Sequence, residues 1–269
     1  MKKQNQIKRG ARFAIFYIML SLVALTACDS LFDGKKSNDF ETLPDGKIKL
    51  GNIDGLPSEL QGATLEPVPD TSPAILKAEK NGKKFAFIKV DGEAGTEGKW
   101  ETFLIDEHAT DPMKAIQPAI LEIGNDGHCT FQKETSFVTK VESKEEYTVS
   151  EKDGKVTFIP NTSGAHTGYV KMLYEMADAS ALQKILPTTE YQKDANGNLT
   201  MEVSTGNSIT IFEKQSDGTY KVGSQILLLF PELAGIKLEM KDGKATFTIP
   251  KDIDISSVYQ KILTMQSGY

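Results

Sequence analysis

Six Asn-Gly or Asp-Gly dipeptides set between strand-like runs, among others in the sequence, constrain this chain more than any other feature: Asn81-Gly82, Asp126-Gly127, Asp153-Gly154, Asn196-Gly197, Asp217-Gly218 and Asp242-Gly243. Both residues of such a pair tolerate positive φ, which a two-residue hairpin turn needs if its twist is to match the strands it joins. The flanks alternate in the way strands require. Phe85, Phe87, Ile88 and Val90 follow the first turn, Val156 and Phe158 the third, Ala245 and Phe247 the last. Successive side chains of a strand point to opposite faces, so alternation lets one face be buried and the other stay wet. The turns therefore predict an antiparallel sheet of roughly eight to twelve strands curled around one core.

Two helices interrupt the hairpins. Val170, Leu173, Ala177, Ala181 and Ile185 share one helical face, with Lys171, Glu175, Asp178 and Lys184 elsewhere and Pro187 ending the run. Ile255, Val258, Tyr259, Ile262 and Leu263 form a cleaner stripe with Asp254 placed to cap it. Both stripes are expected to close the core. The run Ile226 to Phe230 reads as a buried strand or as a helical turn before Pro231, since its period fits either. Residues 43 to 73 hold Pro44, Pro57, Pro67, Pro69 and Pro73 and are expected to be loop-rich, with at most short strands such as Lys47 to Leu50. One internal echo stands out. Lys152-Asp153-Gly154-Lys155-Val156-Thr157-Phe158-Ile159-Pro160 matches Lys241 to Pro250 with one residue inserted, and Gln-Lys-Ile-Leu follows each at 183–186 and 260–263. A duplicated hairpin-helix unit and the shared demands of an Asp-Gly turn explain it equally well.

The amino terminus has a different character. Lys2, Lys3, Lys8, Arg9 and Arg12 occur with no acidic residue, and an apolar run from Phe13 to Ala24 follows, broken only by Ser21. That run is shorter than the ~20 residues needed to span hydrocarbon, and a basic start before it fits a secretory signal. Leu25-Thr26-Ala27-Cys28 at its end resembles the bacterial lipobox. The resemblance implies cleavage before Cys28, a diacylglyceryl group on its sulfur and often a further acyl chain on its new amino group. Residues 1–27 are then signal peptide, residues 28–42 a polar, flexible tether, and residues 43–269 a β-rich domain. A two-lobed division near Pro187 is the structural alternative. The expected address is a membrane outside the cytoplasm, the outer membrane or cell surface ahead of the inner membrane.

Removing the signal changes the surface chemistry. Both arginines leave with it, so 26 lysines face 37 acidic residues and net charge moves from −6 to −11. An acidic surface without arginine repels phosphate backbones and lacks the planar fork that grips anions in two places. Nucleic acid is not an expected partner. Neither a Walker-type Gly-Lys-Ser/Thr loop nor a G-x-G-x-x-G after a strand is present, so no nucleotide cofactor is expected.

Candidate chemistry is sparse. With Cys28 given to lipid, Cys129 has no pairing partner; His128 adjoins it, but neighbours on a strand point apart, so Cys129 is expected to be a buried, inert thiol. The histidines His108, His128 and His166 are scattered and no H-E-x-x-H occurs, so no metal site is expected. Asp194, Asn196, Asn198 and Glu202 match calcium-loop positions 1, 3, 5 and 9, but Leu199 stands where the loop wants glycine and Thr205 where it wants a bidentate glutamate. A hairpin turn accounts for the same residues. G-x-S-x-G and S-x-x-K are absent; Gly164-Ala165-His166-Thr167-Gly168 puts histidine in the nucleophile position. Carboxylates such as Asp106, Glu107 and Glu122 cannot be told from solvated charge before folding brings pairs together. Trp100, the one tryptophan, opens a strand and is expected in the core and not as a sugar platform.

The expected fold is β-dominated α+β, a hairpin-built, barrel-like antiparallel sheet with two short helices, for which a lipocalin-like or other calycin-type barrel is the preferred picture. In composition (lysine-only, acidic, hairpin-rich) the mature chain also resembles the uncharacterised envelope lipoproteins common in Bacteroidota, a likeness that carries no functional residues with it. The expected function is a membrane-anchored, non-enzymatic binding or carrier module with an apolar ligand or a protein partner. A structural or assembly component of the envelope is the alternative, and a hydrolase the third reading.

Overall fold

The computed structural model describes residues 39–91, 95–105, 116–177, 188–204 and 206–267. The signal peptide, Cys28, most of the tether, Asp106, Glu107, His108, Ala181, Ile185 and Pro187 lie outside the described residues. The described chain is mostly strand, and it divides into two units, one built on residues up to Val141 together with Thr167–Ala177, the other on Glu142–His166 and the chain beyond 188. The expected single core is thus replaced by two, and the break falls at Val141/Glu142, not near Pro187.

The first unit holds strands β1 (Phe40–Thr42), β2 (Ile48–Leu50), β3 (Thr64–Val68), β4 (Ile75–Lys80), β5 (Lys83–Lys89), β6 (Gly98–Ile105), β7 (Ile116–Ile123) and β8 (Cys129–Lys133). Each pairs antiparallel with the next, giving an eight-stranded sheet in sequence order. The Pro-rich segment contributes β2, the short strand expected there, and β3 besides. Pro67 is tolerated in β3 because pairing with β2 covers only Thr64 and Leu65, so its missing N–H is asked for on neither side. The core gathers Ile48, Leu50, Leu60, Leu65, Leu76, Phe87, Trp100, Leu121 and Phe131. Asp39 draws the sheet's two ends together: its N–H donates to Gly127 O (3.0 Å), and its Oδ2 accepts from the Cys129 N–H (2.9 Å).

Helix α1 (Gly168–Met176) belongs to this unit and buries Tyr169, Val170, Met172, Leu173 and Met176, packing on β5 and β4. A buried polar network fixes it. Tyr169 OH donates to Glu101 Oε2, and Lys140 Nζ donates to Glu101 Oε1 and to Glu134 Oε2, both at 2.6 Å. Phe103, Phe137 and Tyr169 pack as three mutually contacting rings beside it. Desolvation pushes the fully buried Glu101 carboxyl up to about 7, even though Lys140 and Tyr169 pull it down.

The second unit is a closed barrel of eight antiparallel strands: β9 (Ser143–Lys152), β10 (Lys155–Pro160), β11 (Thr189–Lys193), β12 (Leu199–Ser204), β13 (Asn207–Lys214), β14 (Tyr220–Val222), β15 (Lys237–Lys241) and β16 (Lys244–Ile249), with β16 closing on β9. Closure removes every exposed edge. Tyr147, Phe158, Tyr191, Phe212 and Phe247, from five strands, meet edge-on or tilted at 5.3–6.3 Å. Side chains therefore fill this barrel, as eight strands allow. Glu145 lies directly opposite Phe247, hence on the same inward face. Helix α2 (Ser224–Leu227), a 3₁₀ turn (Pro231–Gly235) and α3 (Ile255–Ser267) complete the unit. Asp254 caps α3 as expected, its Oδ1 accepting the Ser257 N–H at 2.9 Å.

All six signalled dipeptides turn hairpins, but in two ways. Asn81-Gly82, Asp153-Gly154 and Asp242-Gly243 have positive φ at both residues, the two-residue form. At Gly127, Gly197 and Gly218 only the glycine is left-handed, and the loop is longer, closed by Gly124 N–H to His128 O, Asp194 N–H to Asn198 O and Gln215 N–H to Thr219 O. These are turns ending in a glycine bulge. Asp45-Gly46 makes a further one of the same kind between β1 and β2, with Leu43 N–H on Lys47 O.

Candidate functional site

The first unit carries a cleft of about 740 Å³, within the size range of small-molecule sites. Four segments line it: Phe40–Thr42 of β1, Lys49–Gly51 around the end of β2, Thr96 and Glu97 before β6, and Gly124, Asn125 and Gly127 of the β7–β8 turn. Its groups are mixed. Glu41, Glu97 and Lys49 bring charge, Asn125 an amide, Thr42 and Thr96 hydroxyls, and Phe40 an aromatic ring that packs against the core cluster.

Buried groups hold the walls. Lys89, 3% exposed, donates its ammonium to Gly95 O (2.9 Å) and to Glu97 O, and lies 5.1 Å from the Trp100 ring centroid. Trp100 Nε1–H donates to Thr96 O at 2.8 Å. A desolvated lysine and a core tryptophan thus satisfy the carbonyls of the wall from beneath and leave its other side to the cleft. On the opposite wall, Asp126 Oδ1 accepts the His128 N–H and Gly124 N–H donates to His128 O (2.8 Å), which shapes the turn carrying Asn125. No part of this pattern announces itself in sequence, because the cleft is made by two short strands and two loops whose residues are individually ordinary. The buried Lys89 is a signal only once its burial is known.

Among the described residues, those weighed from the sequence take structural roles. Cys129 is buried, and burial, with Asp39 and Asp126 nearby, pushes its thiol up to about 12. His128 turns away to Asp39, Nδ1 lying 3.2 Å from Oδ2, so it supplies no base to the thiol. His166 is buried in the second unit, its Nε2 2.6 Å from Asn161 O and its Nδ1 accepting the Glu146 N–H. The two ring nitrogens serve the loop that carries them. Asp194 gives Oδ1 to the N–H groups of Asn196 (2.8 Å) and Asn198 (2.9 Å) and Oδ2 to the Asn198 amide (2.9 Å), and Glu202 accepts the Gly206 N–H. The oxygens that matched a calcium loop hold a hairpin together. Trp100 is 2% exposed. Glu122 on β7 lies 4.0 Å from Lys99 at the surface. Among the described residues no group of three metal-ligating side chains converges.

The chain matches no protein-family model, no curated protein sequence and no solved structure.

Proposed function

We propose that the mature chain is a membrane-anchored envelope lipoprotein, acylated on Cys28, that acts as a non-enzymatic binding or carrier module through the cleft of its first unit. The observation that carries this reading is the cleft itself, a concave site whose walls are held by the buried Lys89 and Trp100. Its polar rim and single aromatic ring favour a ligand with hydrogen-bonding groups and one apolar face, a more polar molecule than composition alone suggests. The tether supports the same reading. Eleven residues separate Cys28 from Phe40, so at ~3.3–3.6 Å for each of the twelve steps the cleft is held no more than about 43 Å from the lipidated residue.

The test is native mass spectrometry of the protein purified from its own membrane, alongside Lys49→Ala and Asn125→Ala, which alter the cleft and leave the core intact. A co-purifying small molecule lost from both variants supports the proposal. Turnover in a panel of hydrolase substrates, abolished by changing one carboxylate, would replace it with an enzyme.

A further inference from the structure

The connection between β14 and β15 is the least expected surface of the molecule. Val222 to Pro231 contains no charged residue, in a chain one quarter charged. Five apolar residues in a row, Ile226 to Phe230, would ordinarily be drawn inside, yet Leu228 is 84% and Leu229 45% exposed. The exposure is built. Ile226 and Phe230 on either side are fully buried, and Phe230 N–H donates to Ile226 O (2.8 Å) while Leu228 N–H donates to Ser224 O (3.1 Å). At the base, Gly223 packs so closely on β13 that a Cβ there would collide with the Thr210 carbonyl, and Ser224 N–H is held by Glu213 Oε1 at 2.6 Å. Two leucines are thus presented on a fixed turn, anchored from both sides.

Lys221 and Lys237 stand directly opposite one another on the two strands that carry this turn. Like charges in that position repel; Glu213 lies 3.5 Å from Lys221 and offsets part of the repulsion. A rigid leucine tip above a lysine pair has the chemistry of a lipid interface, apolar groups for the acyl boundary and ammonium groups for the phosphates. A stable protein interface needs ~1,200 Å² or more of buried surface, far beyond what two leucines supply. We infer that Leu228 and Leu229 dip into the surface of the bilayer that holds the chain and fix how the second unit meets it. The inference rests on anchoring at Cys28 only for the supply of a bilayer close by.

The experiment uses acylated full-length protein in vesicles of phosphatidylcholine and phosphatidylglycerol, with Leu228→Trp as the probe and acyl chains brominated near the headgroup as quencher. Trp100 is buried and supplies the background, read from the unsubstituted protein. At least twofold stronger quenching in the variant is expected; equal quenching overturns the inference. A second arm separates it from the anchor. Mature chain carrying Cys28→Ser should still partition weakly onto the same vesicles, and Leu228→Ser with Leu229→Ser should lower that partition about a hundredfold, the order expected when two leucines no longer leave water. Partition unchanged by the double substitution counts against the tip whether or not Cys28 is acylated. A concentration-dependent dimer abolished by Leu228→Ser would assign the tip to a second copy of the chain and overturn the lipid reading.

Discussion

Single side chains carry two consequences that solution measurements can read. Glu145 is 2% exposed inside the barrel, its Oε1 meets no hydrogen-bond partner among the described residues, and burial pushes its carboxyl up to about 7 despite a hydrogen bond from Tyr147. The unfolded chain ionises this group near its ordinary value while the folded one stays protonated. The folded state therefore binds the extra proton between pH 4.5 and 7, and its contribution to stability, complete below about pH 4.5, is lost as pH rises through 7. Glu145→Gln should remove this share of the pH dependence, leaving that of Glu101, and make the protein more stable than the parent above pH 7 by about 3 kcal/mol, measured by denaturant unfolding at pH 4.5 and 8. An unaltered slope would place the proton elsewhere. Asp39 is the second case. Its carboxylate accepts the Cys129 N–H and faces His128, so Asp39→Ala should cost about 2 kcal/mol, the scale of a lost hydrogen bond to a charge, and should expose the thiol. Native protein should react slowly with a thiol reagent and the variant many times faster, both yielding one thiol when a chain lacking Cys28 is denatured.

Among the elements, α1 depends on a charge placed out of water. Lys140 is the counter-ion of the buried Glu101, and Tyr169 of α1 donates to the same carboxylate. Removing one partner of a buried pair strands the other. Lys140→Met should therefore destabilise the first unit by about 3 kcal/mol, and Glu101→Gln in the same chain should recover much of the loss, a non-additivity that a double-mutant cycle detects. Additive losses would mean that the network is not coupled. No short-range pattern foretells this contact, since Glu101, Lys140 and Tyr169 lie on separate elements. The hairpins, by contrast, were legible, because an Asp-Gly pair acts through its own backbone. The turn class was not, for choosing between the two-residue form and the glycine bulge depends on register with the partner strand. Periodicity placed Val170 and Leu173 on a buried face and Asp254 at a cap, both of which the helices show. Of its two readings for Ile226 to Phe230 the helical turn holds, but the exposure of Leu228 and Leu229 was not legible, because an apolar run does not say which of its members the chain turns outward. The cleft stayed hidden for a related reason: its residues become neighbours only when four separate segments converge.

For the molecule as a whole, the first expectation concerns its attachment. Expressed with its signal, the protein should partition into detergent and carry acyl mass on Cys28, and Cys28→Ser should leave it unprocessed or without that mass; acyl mass retained in the variant would refute the assignment. The second concerns how the molecule comes into being. The first unit takes its helix from residues that follow the opening hairpin of the second, since Thr167–Ala177 belong with the strands that end at Val141. A nascent chain delivered from its amino terminus can complete eight strands and still lack the piece that covers β4 and β5 and engages Glu101. The first unit must therefore wait, with an apolar face uncovered and Glu101 lacking the Tyr169 hydroxyl, until β9 and β10 have been delivered. No single cut yields both units intact: a fragment ending at Val141 should be aggregation-prone when made alone and should be rescued by residues 167–177 supplied as a peptide. The order of synthesis is thus written into the architecture, and it makes the middle of this chain, not either end, the part whose arrival decides when folding can finish.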